Sequence, residues 1–311
     1  MHTTFMINGG AGRVITAIPA LEKFARLNPK NDFRVIVHGW QDLYWSHALL
    51  QPRTVGIHQK NVFTEYVKDR LLVCPEPYYQ FDYYNQKISL AEAFDREINQ
   101  TTKHDDLTKP NMYLSTYERL SVRRIIQEFR AIHKKNRVVV FQPYGSGMSL
   151  QNNMPFDQSH RSLKPEHYLK IGQYLYDKDC VVFFFGPQEL RHPNDTFSAD
   201  LTRFNPDLRM FQALIAEADY FIGCDSVGQH MARAFDKPGS IFMGSTFEKN
   251  VSYPDHFRIF RKQGHKPVYS PIRLGGVDSD FTDRLNDGIM DYADADVDRW
   301  CEIMLKDIYD E

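Results

Sequence analysis

From residue 120 onward, short β-branched or aromatic runs alternate with amphipathic segments, and this alternation leaves few folds open to the chain. "SVRRIIQEFRAIHKKN" reads as a basic helix, "RVVVFQP" as a buried strand, "KPEHYLKIGQYLYDK" as a helix opened by proline, and "CVVFFFG" as a second buried strand. "LRMFQALIAEA", "DYFIGC", "SVGQHMARAFD" and "PGSIFMG" continue as helix, strand, helix and strand, and "ADVDRWCEIMLKDIY" trails them as a last helix. Strands and helices at this spacing imply right-handed crossovers and a parallel sheet.

The first half alternates too, less regularly. "TTFMI" and "FRVIVHG" read as strands, the second stopped by Gly39, and "AIPALEKFARL" and "KNVFTEYVKDRL" read as helices. "LLVCPEPYYQFDYYNQK" reads as an irregular surface loop or an edge strand, and "SLAEAFDREIN" carries the capping-box pattern of Ser89 and Glu92. A length of 311 residues fits two domains at the usual ~100–200 residues each. The expected architecture is α/β, with one Rossmann-like domain over residues 1–130 and another over 131–311, the boundary lying within 110–137. A cleft between two such domains is a usual ligand site.

Composition narrows the function classes. The formal net charge of -2 argues against strong nonspecific nucleic-acid binding, although a basic run (Arg119, Arg123, Arg124, Arg130, Lys134, Lys135, Arg137) stands out locally. Cys74, Cys180, Cys224 and Cys301 form no CxxC pair, which fits a reducing compartment rather than a disulfide scaffold or a zinc site. No apolar stretch reaches the ~18 residues of a membrane span, and the N-terminus lacks a signal-peptide pattern. The expected location is the cytoplasm, the host's cytoplasm if the gene is a phage's.

Three segments carry candidate chemistry. In "FIGCDSVGQHMARAFDKPGSIFMGST" a strand ends at Asp225, and Asp225 or Ser226 caps a helix starting near Val227. Its free N–H groups and positive dipole end suit a pyrophosphate, with Ser226 and Gly228 small enough for close approach and His230 in reach. Asp225 is placed to accept hydrogen bonds from sugar hydroxyls. The alternative is an ordinary capped helix with a structural histidine. In "VVFFFGPQEL" Gly186 and Pro187 break a buried strand, and Glu189 follows at the sheet mouth, where ligands of open α/β sheets collect. It is either a ribose-binding carboxylate or a surface loop residue. In "FQPYGSGMSLQNNMPFDQSHRSLKPEHY" the turn Gly145-Ser146-Gly147 can offer N–H and hydroxyl donors to phosphate, with Arg161 and Lys164 as charge partners. A flexible loop with two solvated cations is the alternative.

These three segments, in this order, resemble the C-terminal domain of glycosyltransferase family 9, the lipopolysaccharide heptosyltransferase-like proteins. The opening "GGAGRVITAIPALEKF" is similar as well, so the resemblance spans nearly the whole chain. It implies the GT-B fold, two Rossmann-like parallel-sheet domains facing a cleft. It also implies a metal-independent inverting transfer of a hexose, pentose or heptose from a nucleoside diphosphate sugar to a hydroxyl, by default of lipopolysaccharide or another surface glycan. No separate cofactor is implied. The family's ribose-binding Glu corresponds to Glu189, its Asp-Thr-Gly segment to Asp225, Ser226 and Val227 with the glycine one place late at Gly228, and its histidine to His230. Gly10, Ala11 and Gly12 correspond to the acceptor-side loop. Many family members place an Asp directly after that glycine as general base. Here the position is Arg13, which stays protonated and cannot take a proton. Arg13 is then expected to bind the leaving diphosphate or an anionic acceptor, and His38, Asp42 and His47 become candidates for the base.

Other motifs point away from other chemistries. No GxxxxGK[ST] loop is present, and "GGAG" lacks the full GxGxxG. The Asp-x-Asp spacings in "DYADADVDR" and "DSD" read as solvated carboxylates rather than a metal site. Two alternative functions are a bacteriophage-type glycosyltransferase acting on hydroxymethylated pyrimidine in DNA, with the basic run on phosphates, and a non-catalytic nucleotide-sugar binder.

Overall fold

The computed structural model describes residues 2–151, 154–264 and 288–310. The chain divides into two units, Met1–Ser115 and Thr116–Glu311.

The first unit contains β1 (Thr3–Ile7), α1 (Ala11–Thr16), α2 (Ile18–Leu27), β2 (Arg34–Val37), β3 (Thr54–Gly56), β4 (Leu71–Val73), α3 (Phe81–Tyr84) and α4 (Leu90–Asn99). Its sheet is parallel in the order β3-β2-β1-β4. The central strand β1 buries Phe5 and Ile7, and α2 lays Ile18 and Leu21 into the same core. Phe5, Phe24 and Phe33 meet edge to face, the geometry aromatic quadrupoles favour. The capping box of Ser89 and Glu92 forms at the start of α4.

"KNVFTEYVKDRL" is not a helix. It makes one π-type turn, Phe63–Val67, and then runs into β4. Phe63 is exposed, so the segment lacks the buried apolar face that stabilises a short helix. The tyrosine-rich tract does begin as an edge strand, since among the described residues β4 ends the sheet beside β1.

The second unit contains α5 (Thr116–His133), β5 (Arg137–Gln142), the hairpin β6 (Met148–Gln151) and β7 (Met154–Asp157), α6 (Pro165–Asp177), β8 (Cys180–Phe184), α7 (Leu208–Glu217), β9 (Tyr220–Cys224), α8 (Val227–Ala234), β10 (Gly239–Phe242), α9 (Glu248–Val251), β11 (Arg258–Phe260) and α10 (Asp294–Tyr309). Its five-stranded parallel sheet has the order β11-β10-β9-β5-β8. Val139, Phe141, Val182, Phe184 and Ile222 form a core with Tyr168 of α6 and Trp300 of α10. The β6–β7 hairpin and β11 escape the periodicity because they are short and partly polar.

A division at residue 130 would cut α5. That helix buries Val122, Ile125, Ile126 and Phe129 within the second unit, and three of its arginines meet carboxylates there. Arg119 and Arg123 pair with Glu217, and Arg130 and Arg137 pair with Asp219. Four of the seven cations of the basic run thus share two carboxylates of their own unit.

No described helix is long and apolar enough to cross a membrane. The four cysteines are free thiols. Asp294 and Asp296 sit in the first turn of α10, where carboxylates favour the helix dipole. The "DSD" motif lies outside the described residues.

Candidate functional site

In the second unit, β5 is followed by β8 on one side and by β9 on the other, so strand order reverses between β5 and β9. In open parallel sheets the carboxyl edge at such a reversal collects ligands. Gln142, the last residue of β5, stands level with Gly223 of β9. The loops leaving these two strands carry Ser146, Arg161 and Asp225.

Arg161 brings those loops together. Its Nη1 lies 3.6 Å from Asp225 Oδ2, Nη2 reaches Ser146 Oγ at 3.5 Å, and Nε donates to Ser159 Oγ at 3.1 Å. Asp225 is buried, and both its oxygens are engaged: Oδ1 accepts from Gln229 Nε2 at 2.9 Å, and Oδ2 accepts from Thr246 Oγ1 at 2.9 Å. Asp225 therefore orients Arg161 rather than presenting an open carboxylate to a sugar.

A second carboxylate shapes the loop under Arg161. Asp157 accepts the N–H groups of Ser159 (2.8 Å), Arg161 (3.1 Å) and Ser162 (2.8 Å). Burial alone would push this carboxyl up, but hydrogen bonds from Ser159 and Ser162 and the charge of Arg161 outweigh it and hold it below the usual carboxylate range. Gly145 donates its N–H to Ser162 Oγ at 2.9 Å, so that donor is spent inside the loop. A Cβ on Gly147 would lie 2.5 Å from Asp157 Oδ1. This glycine makes room for the carboxylate and not for a phosphate. Of the Gly145–Gly147 turn, Ser146 is the exposed member.

The start of α8 also differs from expectation. Gln142 Oε1 accepts the N–H of Gly228 at 2.9 Å, and Gln142 Nε2 donates to Ser226 Oγ at 3.1 Å. Helix α8, opening at Val227, is capped by the end of a neighbouring strand, which uses one of the N–H groups expected to meet a pyrophosphate. A Cβ at Gly228 would come within 2.6 Å of the Phe221 ring, so the glycine is needed for packing. His230 does not reach toward an anion either. It is buried, hydrogen-bonds Tyr253 Oη through Nδ1 at 3.0 Å, and is held neutral because burial lowers its pKa to about 4.

The two remaining candidates of this unit diverge. Lys164, expected as a charge partner for a diphosphate, is ion-paired with Asp291. Glu189 is exposed in a 3₁₀ turn (Gln188–Leu190) just beyond β8 and has no side-chain partner among the described residues. Gln142, Asp157 and Thr246 were not singled out from the sequence. Thr246 stands in the quoted "MGST", where small residues after a strand were the available signal.

In the first unit, Arg13 is buried and turned inward. Its guanidinium forks onto Glu76, with Nη1 and Nη2 each 3.2 Å from a carboxylate oxygen, and donates to the Pro75 carbonyl. It also stacks at 5.1 Å over Tyr78 and 5.5 Å over Phe94. A guanidinium held this way is not open to a diphosphate or an anionic acceptor. Gly10 is exposed and starts α1, Ala11 is buried in its first turn, and Gly12 is half-buried inside it. Gly9 has φ +90 and faces the Arg13 side chain, so the turn needs glycine there. His38 is exposed at the end of β2, its ring 6.2 Å from that of His58, and Asp42 is half-buried in a 3₁₀ turn. His47 is structural: Nε2 meets Glu22 Oε1 at 3.1 Å while Nδ1 accepts the N–H groups of Leu49 and Leu50.

Among the described residues, no group of three or more His, Cys, Asp or Glu is placed to hold a metal ion. No protein-family model matches the chain, and no curated protein matches it in sequence. Solved structures do. A glycosyl transferase family 9 protein from Veillonella parvula DSM 2008 superposes with a TM-score of 0.69 at 12% identity, covering 98% of this chain and 97% of that one. The chain has the glycosyltransferase family 9 fold. The E. coli ADP-heptose lipopolysaccharide heptosyltransferase II shares this family 9 fold, with a TM-score of 0.60 at 12% identity over 96% of this chain and 99% of that one. The dodecameric iron-containing glycosyltransferase TibC from enterotoxigenic E. coli H10407 gives 0.58 at 14% identity over 98% and 76%.

Proposed function

We propose that the chain is a glycosyltransferase that moves a sugar from a nucleoside diphosphate sugar to a hydroxyl of a saccharide, by a single inverting displacement with protein cations rather than a metal on the leaving group. One observation carries the reading: Arg161 is fixed between Ser146 and Asp225 at the strand-order reversal of the second unit. Family 9 architecture and the ADP-heptose donor of heptosyltransferase II support the donor class.

In this proposal the diphosphate binds Arg161 and the Ser146 hydroxyl. As the bond from the anomeric carbon to the diphosphate oxygen breaks, charge grows on that oxygen, and a preorganised guanidinium stabilises it more than it stabilises the ground state. Asp225 acts as a positioning residue: with Thr246 and Gln229 holding its oxygens, it keeps Arg161 in one orientation. Glu189, exposed and unpaired among the described residues, takes the ribose diol.

The test is a thermal-shift screen of nucleoside diphosphates and their sugars, since a ligand that binds only the folded state raises the melting temperature. A positive donor is then incubated with a saccharide panel. At least one nucleoside diphosphate sugar should raise the melting temperature, Arg161→Ala should remove that shift, and product should form. Failure of every donor to bind would overturn the reading. Binding without hydrolysis or transfer would leave a nucleotide-sugar binder instead of an enzyme.

A further inference from the structure

The loop that carries Glu189 is closed on itself. It leaves β8 after Phe184 and returns beside the same strand, where Ser198 pairs with Val182 and the N–H of Ala199 donates to the Val182 carbonyl at 2.8 Å. Just past Glu189, Arg191 turns back across the loop. Its Nε donates to Asp195 Oδ2 at 3.0 Å, and its Nη2 donates to the carbonyls of Asp195 at 3.1 Å and Ser198 at 3.0 Å. Asp195 is buried, and it also accepts from the Ser198 N–H at 2.9 Å, the Ser198 hydroxyl at 2.5 Å and the Tyr168 hydroxyl.

Tyr168 ties this loop to the Arg161 side of the same sheet edge. It stands on α6, the helix that follows Arg161, and its ring packs at 5.9 Å against that of Tyr144, the residue before the Gly145–Gly147 turn. Phe197, on the Glu189 loop, presses onto α6 where Gly172 has no Cβ; an added one would fall 2.1 Å from the ring. The loop beyond β8 and the loop beyond β5 are thus braced through one helix.

From this geometry we infer that Arg191 and Asp195 are positioning residues that fix the span between two donor subsites, Glu189 for the ribose diol and Arg161 with Ser146 for the diphosphate; the inference rests on the glycosyl-transfer reading above. The ribose and the diphosphate of a donor are covalently joined, so both are held at once only when the two loops keep the matching span. A loop ordered before the ligand arrives has little conformational freedom left to lose on binding. Glu189 is exposed and has no side-chain partner among the described residues, so the backbone that Arg191 holds sets its place. Arginine suits this task because one planar fork reaches a carboxylate and two carbonyls together. Neither residue touches the donor in this arrangement; both act through Glu189.

The test uses the full chain and two probes. One is inorganic pyrophosphate, which fills the Arg161 subsite alone. The other is whichever of ADP, GDP, UDP and CDP raises the melting temperature most. Calorimetry on Arg191→Ala should show affinity for the nucleoside diphosphate lowered by about 3- to 10-fold, the penalty for ordering on binding what the clamp had held. Affinity for pyrophosphate should stay constant. Tyr168→Phe keeps the buried ring and removes only the hydroxyl on Asp195, so it tests the brace without removing a charge and should act in the same direction. In a Glu189→Ala background, Arg191→Ala should have no further effect, because nothing remains to be positioned. Wild-type affinity for the nucleoside diphosphate in either variant, equal losses for both probes, or losses that add to that of Glu189→Ala would overturn the positioning role and leave the transferase reading intact. Wild-type nucleoside diphosphate affinity in Glu189→Ala would take Glu189 off the ribose and overturn the inference with it. A chain that binds none of these nucleotides would overturn the donor reading as well.

Discussion

Gln142 accepts the N–H of Gly228 at 2.9 Å, so the end of strand β5 caps helix α8 across the strand-order reversal of the second unit. The same amide donates to Ser226, and the Phe221 ring closes on Gly228 from beneath. Gly228 therefore serves packing, and its N–H in the first turn of the helix is taken by the protein itself.

Gly228→Ala should destabilise the protein. In an open helix the change would gain about 1 kcal/mol of helix propensity. Here the new Cβ meets Phe221 at 2.6 Å and runs into Gln142 Oε1, and overpacking of this kind costs about 1–3 kcal/mol. Urea denaturation should show a lower midpoint, and a raised midpoint would contradict the packing role.

Arg161→Ala should weaken binding of a nucleoside diphosphate by roughly 10-fold or more, since a hydrogen bond to a charged group contributes about 1.5–3 kcal/mol. Arg161→Lys should rescue only part of this, because an ammonium cannot span Ser146, Ser159 and Asp225 as the planar fork does. Titration calorimetry with the donor measures both, and full affinity in the lysine variant would argue against fork geometry.

Glu189→Ala should separate function from stability. The side chain is exposed without a partner among the described residues, so unfolding free energy should change by less than about 0.5 kcal/mol. Donor affinity should fall while affinity for inorganic pyrophosphate stays constant. Equal losses for both ligands would move Glu189 off the ribose.

His230 should make the fold acid-sensitive. Burial lowers its pKa from 6.5 to about 4, so between those values the unfolded chain holds a proton that the folded chain lacks. Stability then rises with pH across that window and is lost as pH falls from about 6.5 toward 4. The slope from this group approaches about 1.4 kcal/mol per pH unit. His230→Gln should lower overall stability but flatten the curve of unfolding free energy between pH 4.5 and 6.5, and an unchanged slope would place the acid sensitivity elsewhere.

Much of the second unit was legible in the sequence because its strands are continuous apolar runs and its helices are amphipathic. "RVVVFQ", "CVVFF" and "YFIGC" could be little else than buried parallel strands, and their carboxyl ends located Ser146, Glu189 and Asp225 on one edge of the sheet. The first unit was harder to read, because β3 and β4 are three residues long and the Phe63–Val67 turn has no buried face. Local periodicity also cannot show who satisfies a hydrogen bond. The glycines at 145, 147 and 228 looked like phosphate contacts because small residues at strand ends serve both purposes. The decision came from Ser162, Asp157 and Gln142, which are 17, 10 and 86 residues away along the chain.

By itself the sequence determined that the chain is a pair of parallel α/β units and that reactive side chains collect at the strand ends, since apolar spacing and turn residues act locally. Only the tertiary structure decided which of those side chains stay open. Arg13 turns inward onto Glu76, 63 residues on, His230 is neutralised against Tyr253, and Arg161 is held between Ser146 and Asp225. Those outcomes depend on desolvation and on charge partners brought together by strand order, and neither is written in the spacing of residues along the chain.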